Sequence, residues 1–499
     1  MSNSFYSSCA ILYEGETDAV LQCITDKLQA ETQKAALDTH TWLLVLSAAL
    51  LFFMQAGFAV LCAGCVRKKN VQNTMLKNLL DACGAALAWY TTGYAFAFGQ
   101  PGSGETSFIG TGGFLYIGDV DAAYWFFQYA FSATAVTIVA GTLAERCQMT
   151  AYLLYSLFLT GFVYPMSARA MWSSHGFLSA KQPDPLGGIG AIDFAGSGVV
   201  HITGGMTALI AAKILGARKG RFYDSKGSPL SKPKHFPGHS IALQLMGTMM
   251  LWFGWYGFNP GSALLLGVEN SGPIAALAAI NTSISGASGA ITAMFTELYL
   301  EERRTGGLSF NLTMAMNGLL SGLVAVTASC ALIEPWAAGL IGMTAGWIYV
   351  AGSSLLIRWR IDDAVDAIPV HLFSGVWGMI ATGLFTAPTR ILTAFGSSDH
   401  VGWFYSLGRG EVDATLLGNQ ILAVLFLLAW PLGTITPFFL WLNYMKWLRS
   451  DTLEELVGLD MAYHVNAPTV LRDDDVDEKA LAELEERKHK KRTGQEGAP

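Results

Sequence analysis

Between residues 40 and 447 the chain falls into runs of about twenty apolar residues separated by short polar turns. That rhythm points to a bundle of helices in a membrane. The hydrocarbon core of a bilayer, about 30 Å thick, offers no water to a backbone amide, so each crossing segment must close its hydrogen bonds within itself. Eleven runs are read, at approximately 40–66, 76–99, 122–144, 150–172, 193–216, 239–263, 272–298, 309–328, 333–357, 367–388 and 416–447. The expected fold class is an all-α polytopic membrane protein with an amino-terminal segment 1–38, a transmembrane domain 39–447 and a tail 448–499. Composition agrees: 52% of residues are hydrophobic and 14% charged, which overrules the two or three soluble domains that 499 residues would otherwise suggest.

Basic residues set the expected orientation. Alternate turns carry Arg67, Lys68 and Lys69; Arg146; Arg218, Lys219, Arg221, Lys226, Lys232 and Lys234; Arg303 and Arg304; Arg358 and Arg360, whereas the opposite set has only Lys181, Arg390 and Arg409. The basic set belongs in the cytoplasm, so the amino terminus is expected outside and the tail inside. Eleven spans divide as five, five and one, which suggests inverted repeats at about 40–216 and 239–388, followed by an eleventh helix at about 416–447.

Of nine histidines, only His201 and His371 lie deep in apolar runs. His201 follows Asp193 by eight residues in GAIDFAGSGVVHITGG, which on a helix sets the ring about 12 Å deeper than the carboxylate. His371 follows Asp366 by five residues, or about 7.5 Å, in DAVDAIPVHLFSGVWG. These are equivalent places in the two halves, entered from opposite faces, so the imidazoles are expected to meet near the midplane. An ionisable group at that depth marks function by default; the bland alternative is a pair of hydrogen-bonded core histidines without a task.

Other features are weaker. Pro260 in LWFGWYGFNPGS should kink or end the sixth span, leaving Asn259 to satisfy freed groups and Ser262 to face a ligand at the outer mouth. Trp172 is a belt residue unless its ring faces a pore, where it would hold a cation. Cys62 and Cys65 form a CxxC spacing at a span end and are read as packing, while Cys9 and Cys23 suit a disulfide if they face an oxidising side. No metal set is evident, and nothing marks a nucleic-acid binder. Residues 449–464 should form a short amphipathic helix, followed by a solvated end.

The stretches AGTLAER (140–146), AIDFAGSGVVH (191–201), GWYGFNPGS (254–262) and EPWAA (334–338), with His371, resemble the ammonium transporter family in its plant-like eukaryotic branch, over about residues 40–464. The resemblance implies a homotrimer in the plasma membrane with a pore in each subunit, no cofactor and no enzymatic activity. It implies that Trp172 and Ser262 hold ammonium, or methylammonium, at an outer site that Asp193 supports and that Trp255 lines or approaches. Phe131 and Phe258 become stacked rings closing the pore, and His201 with His371 a proton relay, giving electrogenic transport. Asp366, Gly458 and Asp460 take structural or regulatory roles. Three departures stand out. Leu372 replaces the usual glycine and should narrow the pore or shift the ring pair. Arg169 replaces a histidine and should weaken cation recruitment unless paired. Ala462 occupies the position of a phosphorylatable threonine, with Thr452 and Thr469 as substitutes on general grounds. The rivals are an electroneutral Rhesus-type ammonia channel and an ammonium sensor acting through the tail; a metal-dependent intramembrane enzyme lacks a third ligand and a nucleophile.

Overall fold

Each apolar run folds as a helix or as a helix interrupted by a π-turn. The computed structural model describes residues 2–13, 16–100, 106–267, 271–464 and 478–492, and among these β-pairing is confined to isolated bridges such as Ser179 with Ala191. The helices are α1 (Ser2–Leu12), α2 (Thr17–Cys65), α3 (Val71–Ala88), α4 (Tyr94–Phe98), α5 (Ala122–Thr142), α6 (Met149–Phe158), α7 (Tyr164–Trp172), α8 (Thr203–Leu215), α9 (Ile241–Ser262) and α10 (Ser271–Thr305). There follow α11 (Leu312–Val326), α12 (Pro335–Arg358), α13 (Ser374–Phe385), α14 (Pro388–Phe395), α15 (Trp403–Gly408), α16 (Thr415–Tyr444), α17 (Thr452–Val457), α18 (Leu459–Tyr463) and α19 (Glu478–Arg492).

Among the described residues, seven helical stretches are long and apolar enough to cross a membrane by length and composition: Thr17–Cys65, Met149–Trp172, Ser197–Leu215, Ser271–Thr305, Pro335–Arg358, Ile368–Phe385 and Thr415–Tyr444. α5 is of another kind. It is buried on every side from Phe127 to Thr142, so it faces protein rather than lipid and carries Gln128, Ser132 and Thr134 among its apolar residues. Asp121 starts it, accepting hydrogen bonds from the amides of Ala123 and Tyr124.

The polar lead-in expected at 1–38 is instead helical. Residues 17–39 contain no glycine or proline, so nothing stops the first span from continuing outward. The resulting α2 has 49 residues, about 73 Å of helix and more than twice a hydrocarbon core. α1 folds back on it, and Cys9 is disulfide-bonded to Cys23. The tail departs in two ways from what its sequence suggests. The single amphipathic helix breaks at Gly458 into α17 and α18, and the end expected to stay solvated contains α19, whose Ala480 and Leu484 are buried against Val457.

A charged cluster closes the end of the bundle that bears Arg67. Glu145 pairs with Arg67 at 2.5 Å and with Arg218 at 3.2 Å, and Arg218 pairs with Asp362 at 2.9 Å. Burial pushes the Asp362 carboxyl up, but Arg218 and Arg146 overrule it and hold it well below the usual carboxylate range. Its stabilisation is therefore complete above about pH 4 and fades only as pH falls through that lower value. Asp362→Asn strands much of the buried Arg218 charge and should cost about 3 kcal/mol, seen as a lower melting temperature of the detergent-solubilised protein.

Candidate functional site

The pocket on the side expected to face outward, named the outer pocket for that reason, is a cavity of about 30 Å³ whose walls include Gln128 and Phe131 of α5, Trp172 of α7, Ser262 of α9 and Asp193 from the loop before the turn Ser197–Ile202. That volume admits one or two water-sized molecules. Trp172 is fixed because its indole N–H donates to the Asp193 carbonyl at 2.7 Å. The Asp193 carboxylate accepts from the amides of Gly196 at 2.9 Å, Gly198 at 2.9 Å and Val199 at 2.8 Å. It thus satisfies the otherwise orphaned amides at the start of the π-turn Ser197–Ile202 while keeping its charge beside the pocket. Ser262 Oγ donates to the Phe258 carbonyl at 2.9 Å, which leaves its lone pairs free to accept from a ligand.

Below the pocket Phe131 meets Phe258 with ring centroids 4.5 Å apart and planes at 69°. The two rings are edge-to-face rather than stacked, as expected from resemblance; the aromatic quadrupole favours this arrangement. Phe131 also lies 5.3 Å from Trp172. Trp255 does not line the outer pocket. Its ring stacks on His201 at 5.4 Å and 14°, on the inner side of Phe258, because its indole N–H is drawn to Thr327 Oγ1 at 3.0 Å.

His201 and His371 are in contact. Nδ1 of one lies 3.1 Å from Nδ1 of the other, and the rings are nearly parallel at 15°. Such a contact requires one nitrogen to donate and the other to accept, so the two neutral rings must be in different tautomers. His201 Nε2 is buried with no partner, an exposed valence of the kind that a ligand or water satisfies. His371 borders an inner cavity of about 20 Å³ with Phe58, Cys62 and Val365. Val365 and Asn317 also line a vestibule of about 450 Å³ that holds Asp363 and Asp366.

The depth expected from a simple helix is not what positions these rings. Asp193 precedes the helix, Asp366 has a left-handed backbone at φ 57°, and both histidines sit on π-turns, Ser197–Ile202 and Ile368–Phe373. A π-turn adds a residue to the helical ladder and re-aims its side chains. Asp366 acts as a tether: it accepts from Tyr349 Oη at 2.9 Å and Ser353 Oγ at 3.1 Å, tying α12 to the turn that bears His371. Leu372 borders neither the outer pocket nor the inner cavity. Its backbone lies over Gly205, where a Cβ would fall 2.6 Å from the Leu372 amide nitrogen, and the two imidazoles remain in contact.

Arg169 is paired, and it points away from the pocket. Fully buried, it donates to the carbonyls of Ala97 at 3.3 Å, Gly99 at 2.8 Å and Ser107 at 3.4 Å and to Ser107 Oγ at 2.6 Å. Those of Ala97 and Gly99 lie at the carboxyl end of α4, where a cation is favoured. The wall residues Gln128 and Lys181 escaped sequence reasoning. Gln128 stands three residues before Phe131 and so shares its face of α5; Lys181 sits in an irregular loop with no periodicity to flag it.

The tail docks on the vestibule end. Asp460 accepts from the amides of Gln72 at 2.9 Å and Asn73 at 2.7 Å, capping α3 from a distant part of the chain, and Glu455 accepts from the Lys219 amide at 2.6 Å. Gly458 has φ 110°, and a Cβ there would lie 2.7 Å from the Lys69 carbonyl oxygen. Gly458→Ala should therefore cost about 1–3 kcal/mol and undock the tail, read as faster limited proteolysis within residues 449–464. Ala462 packs half-buried against the α19 cluster, Thr452 is exposed at the first turn of α17, and Thr469 lies outside the described residues.

The sequence profile of the Ammonium Transporter Family matches residues 42–468. Ammonium transporter 1 member 2 of Arabidopsis thaliana is 40% identical over 429 residues, 83% of this chain and 80% of that one. Ammonium transporter 1 member 3 of Solanum lycopersicum is 38% identical over 438 residues, 84% of this chain and 91% of that one. Among solved structures, a chain titled Sensor Amt Protein superposes with a TM-score of 0.73 at 30% identity, covering 87% of this chain and 100% of that one. Mep2 of Candida albicans superposes with a TM-score of 0.70 at 28% identity, covering 85% and 88%.

Proposed function

The chain belongs to the ammonium transporter family, and from that premise we propose that it carries ammonium across a plasma membrane, as a homotrimer with one path per subunit, eleven crossings, an outside amino terminus and an inside tail. The observation that carries the reading is the 3.1 Å contact between His201 and His371, flanked by the outer pocket and the inner cavity.

Ammonium is a compact cation with four donors. In the outer pocket the Trp172 and Phe131 rings and the Ser262 oxygen replace part of its hydration, and the Asp193 charge attracts it. A bare cation is disfavoured beyond the Phe131–Phe258 constriction, so the ion loses its proton there. Neutral ammonia crosses the apolar path, and the proton passes along the imidazoles, each of which accepts on one nitrogen and donates on the other. Ammonia and the proton it gave up recombine in the vestibule, giving net movement of one positive charge per ammonium.

Purified protein in liposomes should take up labelled methylammonium faster than empty liposomes, with ammonium competing and potassium not. Uptake equal to that of empty liposomes contradicts transport. A second reading, a sensor that binds ammonium and signals through its docked tail, is supported by the likeness to the Sensor Amt Protein chain. It requires saturable binding without uptake.

A further inference from the structure

The cation at the mouth of this chain is Lys181, not Arg169. Lys181 forms part of the outer pocket wall with Trp172, Asp193 and Ser262, in a cavity of about 30 Å³. It is held there by the turn after Leu178: its amide donates to Ser179 Oγ at 3.1 Å, Ser179 is fully buried, and a backbone bridge ties Ser179 to Ala191 at the base of the Asp193 segment. Among the described residues Asp193 is the only other charged one in that wall, and its oxygens are taken by the amides of Gly196, Gly198 and Val199. No ion pair joins it to Lys181 among the described residues.

We propose that Lys181 sets the ammonium affinity of the outer pocket, its positive charge opposing an incoming cation that needs the same rings, hydroxyl and carboxylate. The inference rests on the transport reading and deepens it. A primary ammonium group presents the same donors as the substrate. Lys181 borders the same small cavity that would receive the substrate, so the two like charges repel, partly screened by the solvent that Lys181 touches. The wall also crowds the amine and pushes it down to about 8, although the side chain keeps contact with solvent and so stays charged at neutral pH. The sign follows: the amine is protonated below that value, so the opposition is complete at acidic and neutral pH and is lost as pH rises through about 8. Among the described residues, neither the facing elements α5, α7, α9 and α14 nor the Leu265–Leu266 stretch contributes a further titratable group to the pocket wall.

The test measures the KM for ammonium in liposomes containing the full chain, for wild type, Lys181→Met and Lys181→Arg, at about pH 6.5 and about pH 9. Dividing wild-type by variant KM at each pH cancels the changing protonation of the substrate. Lys181→Met should lower KM about tenfold at the acidic pH and approach wild type at the alkaline one. Lys181→Arg, which does not titrate, should keep a high KM at both. An unchanged KM in Lys181→Met at the acidic pH, or the same ratio at both pH values, overturns the proposal while leaving transport intact. A wild-type protein that moves no ammonium overturns both.

Discussion

Replacing His201 and His371 together by leucine is expected to abolish ammonium-evoked current while leaving the protein folded. Leucine nearly matches imidazole in volume and suits the dry surroundings, so the bundle loses one hydrogen bond, the 3.1 Å contact, and little packing. The functional loss is far larger. Without the rings a proton has no acceptor between the outer pocket and the inner cavity, and the remaining route is a bare cation through an apolar path. A charge at mid-membrane depth costs about 3 kcal/mol at the least, which corresponds to a rate at least about a hundredfold lower. Neutral ammonia needs no relay, so its flux should persist. Current comparable with wild type in the double variant would show that the proton takes another route.

Asp193→Ala should damage folding and transport together. The substitution strands the three amides, of Gly196, Gly198 and Val199, that the carboxylate now accepts. Each buried donor left unpaired costs about 1–3 kcal/mol, so the π-turn bearing His201 should loosen and the yield of folded protein fall. Asp193→Asn separates the two roles. Its amide oxygen still accepts part of the amide set, so the protein should fold, but the pocket loses its negative charge and KM for ammonium should rise severalfold. An alanine variant with wild-type melting temperature would mean that those amides find water instead, and an asparagine variant with wild-type KM would mean that the charge contributes only to structure.

The apolar runs gave away the helices because a bilayer leaves no alternative, and the contact of His201 with His371 that their depth in two apolar runs suggests is present. What escaped the sequence was set by closure in three dimensions. The π-turns at Ser197–Ile202 and Ile368–Phe373 have no composition of their own, and they rather than helix rise decide where the rings lie. Trp255 and Phe258 stand on the same helix, yet Thr327 from α11 decides that the indole faces His201. Arg169 stands three residues before Trp172 and in sequence alone looks like a charge at the entrance; the carbonyls of Ala97 and Gly99, some seventy residues earlier, bind it instead. Lys181 counted only as a basic residue on the outer side until the loop brought it into the wall.

The central claim, that ammonium crosses with its charge by way of two touching imidazoles, is tested most directly by electrical recording from liposomes that contain the purified chain. A jump in external ammonium should evoke inward charge movement that saturates, that methylammonium reproduces and that potassium does not. Uptake of labelled methylammonium with no accompanying current would contradict the account and assign the chain to electroneutral ammonia conduction.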